Sequence, residues 1–320
     1  MEDNKTINVV AYIDLLAFSN HVRENTSDAL MAMNNYNTII STKLRDELTN
    51  PVSSYPNELQ QLAKDHSIDS FDYFLPFSDS VFLMSNDCSL FIKQLGSFVL
   101  QSFTITSHFY RNPIDPSHPE KNYINNYSID SSGNLVVNQN FCNYYPALFR
   151  GGLAYGEAFP IELLSVIDKK SAKSKVITGS AVVDAVRLES KVKGPRLLFR
   201  KDVFDQLDDD ARVYCRVLPE EKGMFEILWP ALIFIKQNEK FQNEQELSKM
   251  YELIVPAFNL WKAYNHTLFS AHYFNFIELI VAATIQWFDK QCGLKDFAVN
   301  KISDWMNKNE LKDKIDLNRY

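Results

Sequence analysis

Cysteine is scarce and scattered: Cys88, Cys142, Cys215 and Cys292 are the only four, and no two form a CxxC pair. That spacing argues against structural zinc and against a disulfide framework, and it fits a reducing cytoplasm. Basic tracts are missing too, and the net charge is −7. Binding to long nucleic acid through many phosphate contacts is therefore disfavoured. A small anionic substrate stays compatible, because a metal cluster and a few local cations hold it whatever the global sign. No apolar run is long enough for a bilayer; the most apolar late stretch, 276–288, is short and carries Glu278. The polar start, Met1 to Lys5, runs straight into an apolar segment, so no signal peptide is expected. The six histidines show no metal-ligand spacing and read as structural, and no internal repeat is visible.

What the chain does have is a pair of aspartates set in apolar strands. Asp14 lies in Val9-Val10-Ala11-Tyr12-Ile13-Asp14-Leu15-Leu16, and Asp79 in Phe74-Leu75-Pro76-Phe77-Ser78-Asp79-Ser80-Val81-Phe82. A lone carboxylate in a core strand is costly to desolvate unless something pairs with it. With no cationic neighbour in sequence for either, a shared divalent metal site is the expectation, the usual apparatus for chemistry on nucleotide phosphates. Taken singly, Asp14 reads equally as a cap for the following element and Asp79 as ordinary turn chemistry. Adjacent antiparallel strands would bring the two carboxylates within a few ångströms.

The chain has 320 residues, of which 46% are hydrophobic and 23% charged, enough for a large core without staples. Periodicity predicts a strand over 7–14, a helix over about 26–48, and a ragged connection over 50–69. Two strands over 70–85 meet in a tight hairpin near 78–80, and a helix follows over about 89–110. Residues 111–145, rich in Asn, Ser, Pro and Tyr, read as an inserted loop or small hairpin. A strand is expected over 147–154, a helix over 179–192 stopped by Gly194-Pro195, and strands over 196–199 and 224–229. The order β-α-β-β-α-β fits a ferredoxin-like palm, an α+β fold with an antiparallel sheet covered by helices. This first unit would occupy 1–235. From about 240 to 320 the pattern is helical and aromatic, a C-terminal extension forming an added layer or a dimerisation arm.

Two further stretches carry weaker signals. In Phe149-Arg150-Gly151-Gly152 the paired glycines permit close backbone approach, a bulge or packing against a helix, and Arg150 reads as structural. In Gly179 to Ser190, Ala181, Ala185 and Leu188 share one helical face. Arg187 points away from that stripe, either solvated and paired with Asp184 or reaching across a dimer interface to a phosphate.

Together, Asp14 with Leu15-Leu16-Ala17-Phe18-Ser19, Ser78-Asp79-Ser80, Arg150-Gly151-Gly152 to Gly156, and Gly179 to Glu189 resemble the class III nucleotide cyclase catalytic domain. The likeness covers roughly 7–230 and is greatest to the bacterial pyrimidine cyclases of the Pycsar antiphage system. The resemblance implies that Asp14 and Asp79 bind two Mg²⁺ or Mn²⁺ ions, with the Leu15 carbonyl as a further ligand. It implies that Phe18 and Ser19 lie against the triphosphate, and that Arg187 is a transition-state arginine supplied to the partner's site in a head-to-tail homodimer. Departures occur at Ala17 (a glycine in the family), at Val183 (an asparagine), at Leu75 (a lysine reading adenine) and at Val176 (an aspartate).

Two aliphatic residues at purine-reading positions suit a pyrimidine nucleoside triphosphate, UTP favoured and CTP possible. The expected activity is formation of the 3′,5′-cyclic monophosphate and pyrophosphate, the product acting as an antiphage signal on a separate effector protein. Two rival readings are a catalytically degenerate cyclase-like dimer serving as a nucleotide-binding regulatory module, and a palm-type nucleotidyltransferase. The acidic charge and the lack of a basic template groove make the last less favoured.

Overall fold

The structure is a computed structural model that describes residues 7–16, 18, 22–23, 30, 33–42, 51–112, 117, 121–129, 132–143, 146–167, 170–191, 193–218, 221–235 and 240–320. The first strand, β1 (Ile7–Leu15), is apolar along nearly its whole length because both of its faces are covered. Val9, Ala11, Ile13 and Leu15 enter the larger core, while Val10 and Tyr12 enter a smaller cluster on the other face. Asp14 follows Val10 and Tyr12 by the two-residue alternation of a strand.

A helix over 33–42, α1, buries Tyr36, Ile39 and Ile40 against the larger core, the i, i+3, i+4 spacing of one helical face. It is the described part of the helix expected over 26–48. After the short helix α2 (Asn57–Asp65), β2 (Tyr73–Phe77) and β3 (Ser80–Ser85) form the expected tight hairpin, with Phe77 opposite Ser80 and Ser78 at φ 57° in the turn. Asp87 caps α3 (Cys88–Thr106) by accepting the Leu90 N–H at 3.0 Å. The insertion resolves as the hairpin β4 (Lys121–Ile129) and β5 (Leu135–Asn143). Then come β6 (Phe149–Glu157), β7 (Phe159–Ile167), β8 (Lys170–Thr178), α4 (Ser180–Glu189), β9 (Leu197–Arg200), β10 (Cys215–Val217) and β11 (Met224–Ile227). The β7–β8 hairpin and β10 are not among the elements expected from the sequence.

The principal sheet runs β10-β11-β9-β6-β1-β3-β2. Its β6-β1-β3-β2 portion is antiparallel throughout, and the first, second, third and fourth strands of the β-α-β-β-α-β unit therefore take the order four-one-three-two. That order is the ferredoxin-like palm the sequence predicts. β9 is added parallel to β6, extending the sheet beyond the four palm strands.

Helix α4 lies on the smaller-cluster face and touches β6 through a missing side chain. A Cβ on Gly152 would come 2.1 Å from the Ala185 carbonyl oxygen and 2.5 Å from the Leu188 Cβ. Gly179, at φ +137°, starts the helix where a Cβ would meet the Glu157 carbonyl at 2.2 Å. The paired-glycine stretch therefore serves helix packing, one of the two uses expected of it.

The other face carries α3 and the C-terminal helices α5 (Lys240–Ser248), α6 (Met250–Ala263), α7 (Ser270–Trp287) and α8 (Lys295–Lys308). Phe276 of α7 meets Phe103 of α3 edge-on at 4.8 Å and stacks near Trp229 at 5.3 Å. A buried ionic cluster ties the same helix to the sheet. Arg196 binds both carboxylate oxygens of the fully buried Glu226, Arg216 adds a third contact to it at 2.7 Å, and Glu278 of α7 lies 3.8 Å from Arg196. Among the described residues no helix is long and apolar enough to cross a membrane.

Gly152→Ala is expected to cost roughly 3 kcal/mol or more, because overpacking against a main-chain oxygen has no flexible neighbour to yield. Gly156→Ala, whose added Cβ would lie no nearer than 3.4 Å to its first neighbour, the Ser180 hydroxyl, should stay within about 1 kcal/mol of wild type. Urea unfolding of both variants checks the contrast.

Candidate active site

The strand register sets three side chains abreast at the end of β1: Asp14 stands opposite Ser80 of β3 on one side and Arg150 of β6 on the other. The Ser80 hydroxyl donates to Asp14 Oδ1 at 2.9 Å, and the Tyr12 hydroxyl lies 2.9 Å from the same Ser80 oxygen. A serine hydroxyl has one proton to give, so Tyr12 donates to Ser80 and Ser80 to Asp14. Asp79 sits in the hairpin turn beside them, and its carbonyl accepts the Leu15 N–H at 2.9 Å. Tyr36 of α1 closes the row from below, donating to the Ser80 carbonyl at 3.2 Å.

Electrostatics ties these groups together. Burial is the main cause that pushes the Asp14 carboxyl above the usual carboxylate range; the Ser80 hydrogen bond opposes it, the Asp79 charge adds to it, and Arg150 pulls it back. Burial also raises the Tyr36 hydroxyl, with Asp79 and then Asp14 contributing. The two aspartates are thus electrostatic neighbours that repel one another. Hard oxygen donors of this kind suit Mg²⁺ or Mn²⁺, which bind through one or two carboxylates and complete their shells with water and substrate phosphate. Among the described residues no group of three or more His, Cys, Asp or Glu side chains gathers for a metal. The donor set fits a cation shared with a phosphate ligand better than a closed all-protein cage.

Arg150 is the principal surprise. Read from sequence as structural, it stands beside Asp14 as the cationic neighbour that this aspartate lacks along the chain. Its Nη2 lies 3.6 Å from Asp14 Oδ2, while its Nε pairs with Glu189 at the end of α4. Burial raises the Glu189 carboxyl, and Arg150 offsets part of that rise. Behind Arg150, His272 of α7 accepts the Gly194 N–H on Nδ1 at 3.0 Å. Burial, then the charges of Arg150 and Lys193, lower this imidazole to about 4. Tyr12, Tyr36, Ser80 and Glu189 went unnominated in the sequence, since only the strand register and the docking of α4 bring them to Asp14.

The remaining candidates divide. Leu15 is buried as the last residue of β1, and Phe18 is half-buried against the larger core. Ser19 and Ala17 lie outside the described residues. Arg187 projects from α4 into solvent with 71% of its side chain exposed, 3.9 Å from Asp184. Among the described residues no ion pair joins Arg187 to Asp14 or Asp79. Leu75 and Val182 pack on the smaller cluster, with Val176 half-buried on β8 and Val183 exposed on α4.

No family model matches the chain, and no curated protein matches it. Solved structures that resemble it include the guanylyl cyclase Cya2, at 12% identity and TM-score 0.39 over 70% of this chain and 92% of that one. The guanylate cyclase domain of RhGC from Catenaria anguillulae in complex with GTP gives 12% identity and TM-score 0.39 over 70% and 96%. The adenylyl cyclase CyaB from P. aeruginosa gives 10% identity and TM-score 0.36 over 69% and 93%. Likeness at this level leaves the fold to be read from the strand order and the chemistry from the residues.

Two outcomes follow from the charges. Asp14 is held above its ordinary carboxyl range, so its ionised form costs stability at neutral pH; Asp14→Asn should melt at or above the wild-type temperature in a thermal scan. His272 has the opposite sign of dependence. The unfolded imidazole binds a proton below about pH 6.5 while the folded one resists until about pH 4. Stability should therefore be lost as the pH is lowered through that window. His272→Asn should flatten the loss in urea unfolding at pH 4.5–7.

Proposed function

We propose that the protein is a nucleotide cyclase that converts a pyrimidine nucleoside triphosphate, UTP in preference to CTP, to the 3′,5′-cyclic monophosphate and pyrophosphate. One observation carries this reading: in a palm of strand order β6-β1-β3-β2, Asp14 at the end of β1 and Asp79 in the β2–β3 turn lie side by side. In the reaction the ribose 3′-oxygen attacks the α-phosphorus, the bond from that phosphorus to the bridging oxygen breaks, and pyrophosphate leaves. Two Mg²⁺ or Mn²⁺ ions, when bound, would lower the pKa of the 3′-hydroxyl and neutralise charge on the α-phosphate.

The chain's own residues have distinct parts in this scheme. Asp14, Asp79 and the Leu15 carbonyl hold the cations, and the Tyr12–Ser80 chain fixes the Asp14 carboxylate so that one oxygen keeps its direction. Phe18 and Ser19 border the triphosphate. Arg187 stabilises charge on the transferring phosphoryl group, a role commonly worth several kcal/mol. It acts in the partner's site of a homodimer, which suits its exposure here. Exposed apolar side chains, Val183 and Val186 on the same helix and Ile161, Leu163 and Leu164 on β7, are of the kind a second copy would cover. Leu75 and Val176 offer no hydrogen-bonding group to a purine, which supports the smaller base. The cytoplasmic setting, and a cyclic nucleotide that signals phage infection to a separate effector, belong to the same reading through the family resemblance.

A catalytically degenerate, nucleotide-binding regulatory dimer is the second reading, favoured by Arg150 acting as a counter-charge on Asp14. Incubation with each of the four ribonucleoside triphosphates and Mn²⁺, with the products resolved, separates the two. Cyclic UMP with an equal amount of pyrophosphate is expected; no cyclic product, or a purine product in preference, contradicts the proposal. Arg187→Ala should cut turnover by about a hundredfold or more with little change in substrate binding. Mixing it with Asp79→Ala should restore part of the activity, and no restoration would contradict a site shared between subunits.

A further inference from the structure

The guanidinium of Arg150 is shared between two carboxylates in unequal fashion. Its Nε is in close ion-pair contact with Glu189. Its Nη2 stands 3.6 Å from Asp14 Oδ2, within ion-pair range but beyond an N–H···O hydrogen bond. Guanidinium and carboxylate bind most strongly through two parallel hydrogen bonds. With the Glu189 carboxylate against Nε, the Nε–Nη2 edge is not free to turn onto Asp14. Glu189 itself cannot drift: it ends α4, which is seated on β6 at Gly152, and its side chain is only 11% exposed.

We infer that Glu189 is a positioning residue that holds Arg150 back from Asp14 and so keeps this carboxylate available to a divalent cation. The inference rests on the metal-binding reading of Asp14 and Asp79. Without Glu189, Asp14 is the other carboxylate in ion-pair range of Arg150 among the described residues, and the guanidinium closes on it as a full ion pair that competes with the incoming metal. The neighbouring groups do not substitute for Glu189. Ser80 donates to Asp14 and has no second proton for it, and His272 presents a neutral ring whose Nδ1 is already occupied by the Gly194 N–H.

The test titrates Mn²⁺ alone onto the full chain, without nucleotide, and reads the free ion by electron paramagnetic resonance. Glu189→Asp keeps the charge but shortens the reach by one methylene; Glu189→Gln removes the charge. Both should weaken Mn²⁺ binding about tenfold, and adding Arg150→Gln to either should return the affinity to within about twofold of Arg150→Gln alone. Arg150→Gln by itself should bind Mn²⁺ as tightly as wild type or more tightly. Wild-type affinity in Glu189→Asp overturns the inference, as does failure of Arg150→Gln to restore binding, or weaker binding in Arg150→Gln itself. Asp14→Asn separates the two levels of the argument. If it keeps wild-type affinity, the metal reading fails and this inference with it; if it loses affinity while Glu189→Asp does not, this inference alone is overturned.

Discussion

Everything at this site depends on keeping one carboxylate, Asp14, largely out of water without neutralising it. Removing a carboxylate from water costs several kcal/mol unless a partner compensates. The structure compensates in part: one hydrogen bond from Ser80 and one long contact from Arg150, against repulsion from Asp79. The balance is left unfavourable to the charge, which is why the proton affinity of Asp14 is raised. A residue placed for stability alone would be paired more completely, as Glu226 is by Arg196 and Arg216.

The fold is organised around holding that arrangement still. β1 is the central strand of the palm, with β3 and β6 paired along its length on either side, so Ser80 and Arg150 reach Asp14 by register rather than by loop conformation. Rigid elements of this kind place functional groups more accurately than loops do. The glycines of β6 let α4 approach closely enough for Glu189 to reach Arg150. On the opposite face, Phe103, Trp229 and Phe276 weld the C-terminal helices to α3, and the turn at Gly194 brings His272 close behind Arg150. The C-terminal layer therefore borders the site through the neutral His272 imidazole.

Much of this was legible in the chain itself. The apolar strand around Asp14, the hairpin around Asp79, the glycine pair and the α4 stripe are local patterns, and local patterns survive translation into structure. Their order alone gives the palm. What stayed hidden depends on pairing across elements. Arg150 and Glu189 lie on different elements and meet only because α4 docks on β6; Tyr12 and Ser80 look like ordinary strand residues until the β1–β3 register joins them. The β7–β8 hairpin escaped because its second strand, Lys170–Thr178, is polar at most positions and largely exposed, which removes the hydrophobic signal that marks a strand. Arg187 was open to two readings in sequence, and its exposure leaves the interfacial one as a proposal.

The most direct measurement is anomalous diffraction from a crystal soaked with Mn²⁺ and a non-cyclisable pyrimidine triphosphate analogue, collected near the manganese edge. The account predicts anomalous density bridging the Asp14 and Asp79 carboxylates, with metal–oxygen distances of about 2.0–2.6 Å, and Arg150 still paired to Glu189. Density elsewhere, or a guanidinium closed on Asp14 with no metal between the two aspartates, would contradict it.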